Sequence, residues 1–418
     1  MQTCILEAAP VLAFEPAELR RLFPAIVNEP ETIFFDNAST AQKPAVVIDR
    51  INTFYSRECS NISRASYGRS TALATRVEQA RDQMAQFINA DPEEIAFTSG
   101  ATESLNTVAL SWGMHNLEDG DEILLCMEDH HSAVFPWLNL REILSRFGRE
   151  IKIVPFALHQ TGVYDWADLK SKLTPRTRLI ALSHIHHLYG MEMDIAEVKA
   201  LLPENVLISL DASQSAGHIK LDVRELGAHF ISFSGHKMFA ASGTGVLYTD
   251  KRVLNQMWPA KAGSKTAFQP NNENLALSAE KLSGIIECGT LNIAGILSMQ
   301  AAIDFIDSIG LDVIERHLSD LTHYIHGRLK ELPQIEFAPG IGICGCTKGF
   351  GIIAFKLKEM NSPDLADYLD SEGILVRAGD HCRGSKESDD GYIRVSLQIY
   401  NTREEIDFFM EVLEDACH

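Results

Sequence analysis

The sequence predicts an α/β fold with a large domain, in which helices wrap a parallel sheet, and a smaller α+β domain at the C-terminal end. At 418 residues the chain is long enough for both units. Between Glu93 and Leu247, short apolar runs alternate with segments of helical periodicity, a pattern typical of a parallel sheet covered by helices. After residue 305 a second, shorter set of strand and helix patterns follows.

Seven apolar runs are the candidate strands of the large sheet. They are Ile95 to Thr98, Glu122 to Cys126, Ile151 to Val154, Leu179 to Ser183, Val206 to Leu210, Phe230 to Phe233 and Gly245 to Tyr248. Between them, Ala133 to Phe147 and Trp166 to Leu173 have helical periodicity. The polar stretch from Leu254 to Lys281 predicts a loop.

The second unit is entered through a predicted helix from Ile296 to Ile309. Its own predicted elements are Gly351 to Phe355, Asp364 to Ser371, Ile374 to Val376 and Ile393 to Leu397. Thr402 and Glu405 have the spacing of a capping box and predict a closing helix. We therefore expect an N-terminal arm over 1–30 that packs with the small domain, a large domain over 31–305 and a small domain over 306–418.

The composition and the net charge of the chain limit the classes of binding partner that we expect. The 57 acidic and 37 basic residues give a net charge of -20, which repels phosphate backbones and anionic lipids. We therefore expect neither nucleic acid nor a membrane as a partner, and no apolar run is long enough to cross a bilayer. Eight scattered cysteines lack C-x-x-C spacing, which argues against a zinc site or a disulfide framework and favours a reducing, cytoplasmic compartment.

Polar features follow two of the predicted strands, at the edge of a parallel sheet where ligands bind. The segment from Phe97 to Glu103 ends a strand and opens a helix, whose free backbone N–H groups suit a phosphate. An ordinary helix start has the same pattern. Asp211 ends another apolar run, and a buried carboxylate there needs a cationic partner such as a protonated pyridine nitrogen. The alternative is an aspartate that caps the next turn.

A third feature is Lys237, which follows the apolar run that ends at Phe233. A lysine held in an enclosed site can lose its proton and form an imine with an aldehyde. Ser234 and His236 offer hydrogen-bond donors for a phosphate beside it. A solvated surface lysine is the common alternative, but together the three features supply a phosphate seat, a pyridinium partner and an imine-forming lysine.

The order of these motifs resembles that of the class V aminotransferase family. The resemblance rests on segments that span nearly the whole chain: 35–44 (FDNASTAQKP), 211–214 (DASQ), 234–237 (SGHK), 243–248 (GTGVLY), 289–292 (GTLN), 377–382 (RAGDHC) and 393–397 (IRVSL). The last two are similar to the catalytic-cysteine loop and the substrate-carboxylate strand of SUF-type (group II) cysteine desulfurases.

This resemblance implies fold type I, with a mostly parallel seven-stranded sheet, a homodimer, and pyridoxal 5′-phosphate as cofactor. Lys237 would carry the cofactor, Asp211 would pair with the ring nitrogen, and His130 would stack on the ring. The other implied contacts are Gln214 and His187 at the ring hydroxyl, Ala101, Thr102, Ser234 and His236 at the phosphate, and Thr290 from a second subunit.

The resemblance further implies a cysteine desulfurase that converts L-cysteine to L-alanine and leaves a persulfide on Cys382. Arg394 would bind the substrate carboxylate, a task suited to a guanidinium, and Arg64 and Arg377 would assist. The polar residues over 379–384 predict a mobile loop that exposes the thiol, with a buried structural cysteine as the alternative. A sulfur-acceptor protein and iron–sulfur cluster assembly are the implied partner and pathway.

Four segments depart from the family's pattern: His187, Asp380, residues 383–385 after the cysteine, which face the sulfur acceptor in the family, and residues 65–70. His187 stands where asparagine is usual; it can still donate a hydrogen bond, but it titrates near neutral pH. Asp380 stands where group II enzymes usually have histidine, and its charge would disfavour the Cys382 thiolate unless it orients His381 as a base. A metal among the nearby histidines would lack a carboxylate or thiolate at ligand spacing, so we predict none.

Three alternative functions stay open at this point. A selenocysteine lyase uses the same cofactor and much the same pocket. A class V transaminase or epimerase of a biosynthetic pathway would not need Cys382. A scaffold protein without turnover is motivated by the His187 and Asp380 changes, but the intact cofactor and cysteine motifs disfavour it.

Overall fold

A computed structural model describes residues 16–62, 67–270, 275–340, 348–384 and 391–417. Its strands are β1 (Ile33–Phe34), β2 (Ile95–Thr98), β3 (Glu122–Cys126), β4 (Lys152–Phe156), β5 (Thr177–Ser183), β6 (Leu207–Asp211), β7 (Phe230–Ser234), β8 (Gly245–Thr249), β9 (Phe268–Pro270), β10 (Leu275–Leu277), β11 (Ile335–Phe337), β12 (Ile352–Leu357), β13 (Ile374–Leu375), β14 (Arg377–Gly379) and β15 (Tyr392–Ser396).

The seven predicted strands of the large sheet are confirmed as β2 to β8. The sheet has the order β2–β8–β7–β6–β5–β3–β4. Only β8 runs antiparallel to its neighbours β2 and β7; the other pairs are parallel. Strands that are buried on both faces of a sheet consist of continuous apolar runs, which is why these strands could be located from the sequence. The carboxyl ends of β3, β5, β6 and β7 consequently meet at one edge of the sheet.

The helices of the chain pack around this sheet and, from α14 to the C-terminal end, against the elements of the C-terminal unit. They are α1 (Pro16–Arg20), α2 (Pro24–Asn28), α3 (Ala45–Thr53), α4 (Gly68–Phe87), α5 (Ala101–Val108), α6 (Met114–Asn116), α7 (His131–Arg146), α8 (Trp166–Lys172), α9 (Ile195–Leu201), α10 (Val223–Leu226), α11 (Lys251–Leu254), α12 (Leu282–Ile286), α13 (Ile293–Ile309), α14 (Leu311–Leu329), α15 (Ser362–Ser371) and α16 (Arg403–Asp415). The predicted helices at α7, α8 and α13 are confirmed.

The predicted loop from Leu254 to Lys281 is wrong in part. The short strands β9 and β10 pair there as an antiparallel ribbon, in which Phe268 is opposite Leu277. Each strand has three residues, and alternation over three residues cannot be told from a loop by periodicity. Packing of Phe268 against Trp258, with ring centroids 5.8 Å apart, supports the ribbon.

The C-terminal unit is an antiparallel sheet in the order β11–β12–β15–β14. The N-terminal segment joins it, because β1 pairs in parallel with β13 and the amide of Asn37 donates to the carbonyl of Ser396 at 2.7 Å. Contact with the small domain therefore continues past residue 30, the predicted end of the arm. The predicted capping box is confirmed at α16, where Glu405 N donates to Thr402 Oγ1 at 3.3 Å and Thr402 N to a carboxylate oxygen of Glu405 at 3.1 Å.

Helix α13 lies in the core, and most of its side chains are buried, including Ile296, Leu297 and Phe305. The apolar surface of α13 therefore packs against other elements on nearly every side, among them α3 and α4. In the described part of the chain, no single helix has the length and composition of a membrane span. Helices α13 and α14 have that length and composition only when taken together, and their axes are bent by 76° relative to each other.

A buried ion pair ties α4 to the segment after α12. Arg81 donates to both carboxylate oxygens of Glu287, at 2.7 and 3.0 Å, and both side chains are about 5% exposed. Glu287 also accepts the backbone N–H of Phe97 at 2.9 Å, and Arg81 donates to the carbonyl of Ile95 at 3.0 Å. The pair therefore fixes β2, which leads into the first turn of α5.

We expect Glu287→Gln to destabilise the fold by about 3 kcal/mol, because the substitution removes the buried counter-charge of a buried guanidinium. Glu78→Gln is the matched control: Glu78 contacts the same arginine at 3.3 Å, but its side chain is 62% exposed, so we expect a loss below about 0.5 kcal/mol. Urea unfolding midpoints measure both. Equal shifts for the two variants would contradict the assignment.

Candidate active site

A cavity of about 250 Å³ lies at the edge of the large sheet where β5, β6 and β7 end. Its wall consists of Ala38, Ser39, Ala101, Thr102, His130, Ser132, Ser183, Ile185, His187, Asp211, Ser213, Gln214, Ser234, His236, Lys237, Arg377, His381, Cys382 and Arg394. The two units thus share one cavity. Of the predicted site residues, Thr290 lies elsewhere and Arg64 lies outside the described residues; all the others line this wall.

Lys237 and Asp211 reach the cavity from neighbouring parallel strands. Lys237 follows β7 in a tight turn that begins at Gly235, where a Cβ atom would lie 2.3 Å from Thr244 Oγ1. Asp211 ends β6, and its Oδ1 accepts the N–H of Ser213 at 2.9 Å. Burial lowers the pKa of Lys237 to about 8; the charge of Asp211 opposes this shift and nearby arginines add to it. The lysine is therefore prepared to act as a neutral amine.

The first turn of α5 forms another part of the wall. Ala101 N–H is not free, because it donates to Ser234 Oγ at 2.8 Å and so fixes that hydroxyl. The hydroxyls of Thr102 and Ser132 share a hydrogen bond of 2.7 Å. Burial lowers the pKa of His236 to about 4, so its ring is neutral at pH 7. These hydroxyls and the helix start are suited to an anionic group.

His130 caps α7 and lies in the cavity wall. Its Nδ1 accepts the N–H of Ser132 at 3.1 Å, so the neutral ring carries its proton on Nε2. Burial, and then the charge of Lys237, lower the pKa of His130 to about 4. Its ring centroid is 5.2 Å from that of His187, in an edge-to-face arrangement of 88°. His130 therefore presents an N–H donor rather than a charge.

Backbone hydrogen bonds fix the turn that carries Cys382. His131 N donates to the Cys382 carbonyl at 2.8 Å, and Gly384 N donates to the Asp129 carbonyl at 3.0 Å. His381 and Cys382 have left-handed φ angles of 55° and 62°. Because L-residues seldom adopt this region, the turn depends on these contacts. They hold the thiol in the same cavity as Lys237.

The described residues of this loop are more enclosed than the prediction of an exposed polar loop implied, and its mobility stays a prediction. Arg383 is 3% exposed and donates to Glu128 at 3.1 Å. Asp380 does not orient His381, as one interpretation required; its Oδ1 accepts the Cys382 N–H at 3.0 Å. His381 instead donates from Nε2 to the Tyr392 carbonyl at 2.8 Å. Some of these polar residues form hydrogen bonds with partners from distant parts of the chain, which the local sequence could not indicate.

Arg394 is held by residues that the sequence did not assign. It donates to Asp36 Oδ1 at 3.1 Å, to Ser39 Oγ at 3.0 Å and to the His187 carbonyl at 3.0 Å. Arg377 binds the same carboxylate, at 3.1 Å. Asp36 thus positions two arginines at the cavity. The available signal was its place in segment 35–44, which resembles the family's opening segment, directly after a short apolar run.

Thr290 is exposed and lies in a different cavity, beside Glu103, Lys261 and Cys288. Within one chain it does not reach the wall that holds Lys237. Its predicted contact with a phosphate would require a second copy of the chain, and this contact stays a prediction.

The donor set of the cavity fits pyridoxal 5′-phosphate. Four wall atoms are buried without a hydrogen-bond partner among the described residues: Ser213 Oγ, His187 Nδ1, His381 Nδ1 and Arg394 Nε. Buried polar atoms are normally paired, so this concentration indicates a polar ligand. An amine, a carboxylate at the end of a buried strand and hydroxyls at a helix start match an aldehyde, a pyridine nitrogen and a phosphate. No cluster of three metal-ligating side chains occurs in the described ranges.

Comparisons with known proteins agree with this geometry. The aminotransferase class-V family model matches residues 33–409. A probable cysteine desulfurase of Halalkalibacterium halodurans is 36% identical over 406 residues, which cover 95% of this chain and 97% of that protein. The apo structure of a cysteine desulfurase from Thermococcus onnurineus NA1 is 30% identical, with a TM-score of 0.88 over 98% of this chain and 99% of that one.

A cysteine desulfurase of Escherichia coli, solved in an S-sulfonic acid form, is 28% identical to this chain. Its TM-score is 0.84, over 97% of this chain and 99% of that one. The likeness therefore extends over both units.

We expect Lys237 of the cofactor-free protein to react with an acylating reagent with a midpoint near pH 8, because its folded pKa is lowered to about 8 and the neutral amine forms above that pH. Ordinary lysines should give a midpoint near ~10.4. In Asp211→Asn the midpoint should fall further, since the Asp211 charge raises the pKa of Lys237. Peptide mass spectrometry across a pH series measures both; a wild-type midpoint near 10 would refute the enclosed-lysine assignment.

Proposed function

This chain belongs to the aminotransferase class-V family, and on that basis we propose that it is a pyridoxal 5′-phosphate-dependent cysteine desulfurase. It converts L-cysteine to L-alanine and leaves the sulfur on Cys382 as a persulfide. The observation that carries the proposal is the convergence of Cys382, Lys237 and Asp211 on one cavity. A transaminase or an epimerase has no need of that thiol.

The cofactor would be held at Lys237, with the Asp211 carboxylate at its ring nitrogen, Gln214 at its hydroxyl and Ser234 at its phosphate. When bound, pyridoxal 5′-phosphate withdraws electrons from an attached amino acid and weakens the bonds around its α-carbon. Asp211 keeps the ring electron-poor because its carboxylate stabilises the positive charge on the ring nitrogen. Arg394 then offers its unpartnered Nε–H to the substrate carboxylate.

Sulfur transfer is the work of Cys382. Its thiolate attacks the sulfur of the substrate, an S–S bond forms, and the C–S bond breaks with its electron pair left on the carbon skeleton. The skeleton takes up a proton and leaves as alanine. The neutral ring of His130, with its hydrogen on Nε2, lies in the wall as a hydrogen-bond donor; it can deliver the proton only after it has taken one up, because loss of Nε2–H from the neutral ring would leave an imidazolate.

Further properties belong to the same proposal. The chain acts as a homodimer, so that Thr290 of one copy reaches the phosphate in the other. The terminal sulfur passes to an acceptor protein, with iron–sulfur cluster assembly as the destination. A reducing cytoplasm suits an enzyme whose nucleophile is a free thiol. Release of selenide faster than sulfide from the two matching amino acids would identify a selenocysteine lyase instead.

Incubation of the holoenzyme with L-cysteine, without an acceptor, should add the mass of sulfur to Cys382 by intact and peptide mass spectrometry. Cys382→Ser should lower alanine formation by roughly a thousandfold or more, as expected for loss of a nucleophile. Lys237→Ala should lose the cofactor's visible absorbance and the adduct together. Cys59→Ser is the matched control, because Cys59 is an exposed free thiol outside the cavity. Full alanine formation by Cys382→Ser would refute the desulfurase.

A hybrid dimer tests the origin of Thr290. Differently tagged Lys237→Ala and Thr290→Ala chains are co-expressed and the mixed dimer is isolated. Its one site with an intact Lys237 receives Thr290 from the other chain, so it should bind the cofactor as tightly as wild type. The Thr290→Ala homodimer should bind more weakly. Weak binding by the hybrid would show that Thr290 acts within its own chain, and wild-type binding by the Thr290→Ala homodimer would show that it does not act at all.

A further inference from the structure

His187 connects the cavity with the Cys382 turn. The residue follows β5, is 5% exposed and lines the cavity wall. Its Nε2 lies 2.9 Å from the carbonyl oxygen of His381, the residue directly before Cys382. A side chain of the cavity wall therefore contacts the turn, in addition to the backbone hydrogen bonds that join the turn to the start of α7.

The contact with His381 determines where the proton of the His187 ring lies. A carbonyl oxygen can only accept, so Nε2 must carry the hydrogen. Burial lowers the pKa of His187 well below its usual value, and the ring is neutral at pH 7. A neutral ring with a hydrogen on Nε2 has a lone pair on Nδ1. The prediction that this histidine donates to a ligand is therefore not supported by the geometry.

Nδ1 of His187 is buried and has no hydrogen-bond partner among the described residues. A buried acceptor in this condition is uncommon and indicates a donor that comes from a ligand. The motif resemblance places this position beside the cofactor's ring hydroxyl. That hydroxyl has a hydrogen to give when it is not ionised.

We propose that His187 is a positioning residue that links the Cys382 turn to the cofactor: Nε2–H holds the His381 carbonyl, and Nδ1 accepts a hydrogen bond from the ring hydroxyl. The second contact rests on the proposed function, whereas the first is independent of any cofactor. An acceptor at this position favours the un-ionised hydroxyl, whereas a donor would favour the ionised one.

Two substitutions separate the two contacts. The amide nitrogen of glutamine can replace Nε2, so His187→Gln can keep the bond to His381 but lacks the ring acceptor. Asparagine is too short to reach the His381 carbonyl, so His187→Asn loses that bond. His184→Asn is the matched control, because His184 is buried in the same segment and its recorded contacts are with Glu192 and backbone groups outside the turn.

The first measurement is the alkylation rate of Cys382 by iodoacetamide in the cofactor-free protein, followed by peptide mass spectrometry. We expect His187→Asn to react roughly three- to tenfold faster, the factor that corresponds to the loss of one hydrogen bond. His187→Gln and His184→Asn should react at the wild-type rate. Wild-type reactivity of His187→Asn would overturn the link to the turn, and so would equal acceleration of all three variants.

The second measurement is the near-ultraviolet and visible absorption of the holoenzyme without substrate. Loss of the acceptor in His187→Gln should move absorbance from the shorter-wavelength band of the un-ionised hydroxyl to the longer-wavelength band of the ionised form. An unchanged spectrum would overturn the acceptor assignment. If no sulfur adduct forms on Cys382 while both measurements behave as expected, the proposed function fails and the His187 assignment stands.

Discussion

Two backbone hydrogen bonds hold the C-terminal unit against the large domain at the point where chemistry is expected. The N–H of His131 and the carbonyl of Asp129 bind the turn around Cys382. The residues that begin α7 therefore also contact the C-terminal unit. His130, between them, is fixed by the same geometry and caps the helix. These two bonds, with the contacts of His187 to His381 and of Arg383 to Glu128, keep the thiol in the same wall as Lys237.

Burial rather than direct pairing sets the charges of the cavity. Desolvation keeps the histidines in the wall neutral and brings Lys237 towards its neutral form. The guanidinium groups of Arg377 and Arg394, which stay protonated in proteins, both bind the Asp36 carboxylate beside them. The result is a wall of neutral donors and acceptors with cationic groups at one side, an arrangement suited to a substrate that carries a carboxylate.

The sequence predicted most of the large sheet and most of the wall, for a physical reason. Buried parallel strands consist of continuous apolar runs. Side chains that follow such runs, including those of Asp211 and Lys237, lie at the same edge of the sheet. Features that depend on contacts between residues far apart in the chain could not be predicted from the sequence. The β1–β13 pairing, the anchoring of Arg394 by Asp36 and the burial of Arg383 have no local periodicity. Thr290 cannot be placed because its predicted partner lies in another molecule.

The left-handed conformation of His381 and Cys382 has a consequence for sulfur delivery. Each such residue costs roughly 1 kcal/mol or more, so release of the turn from its anchors would not leave the pair in its present shape. If Cys382 carries the sulfur, as proposed, the anchored turn would keep that sulfur beside the cavity. An acceptor protein would then have to insert a narrow, extended segment into the cavity to collect it.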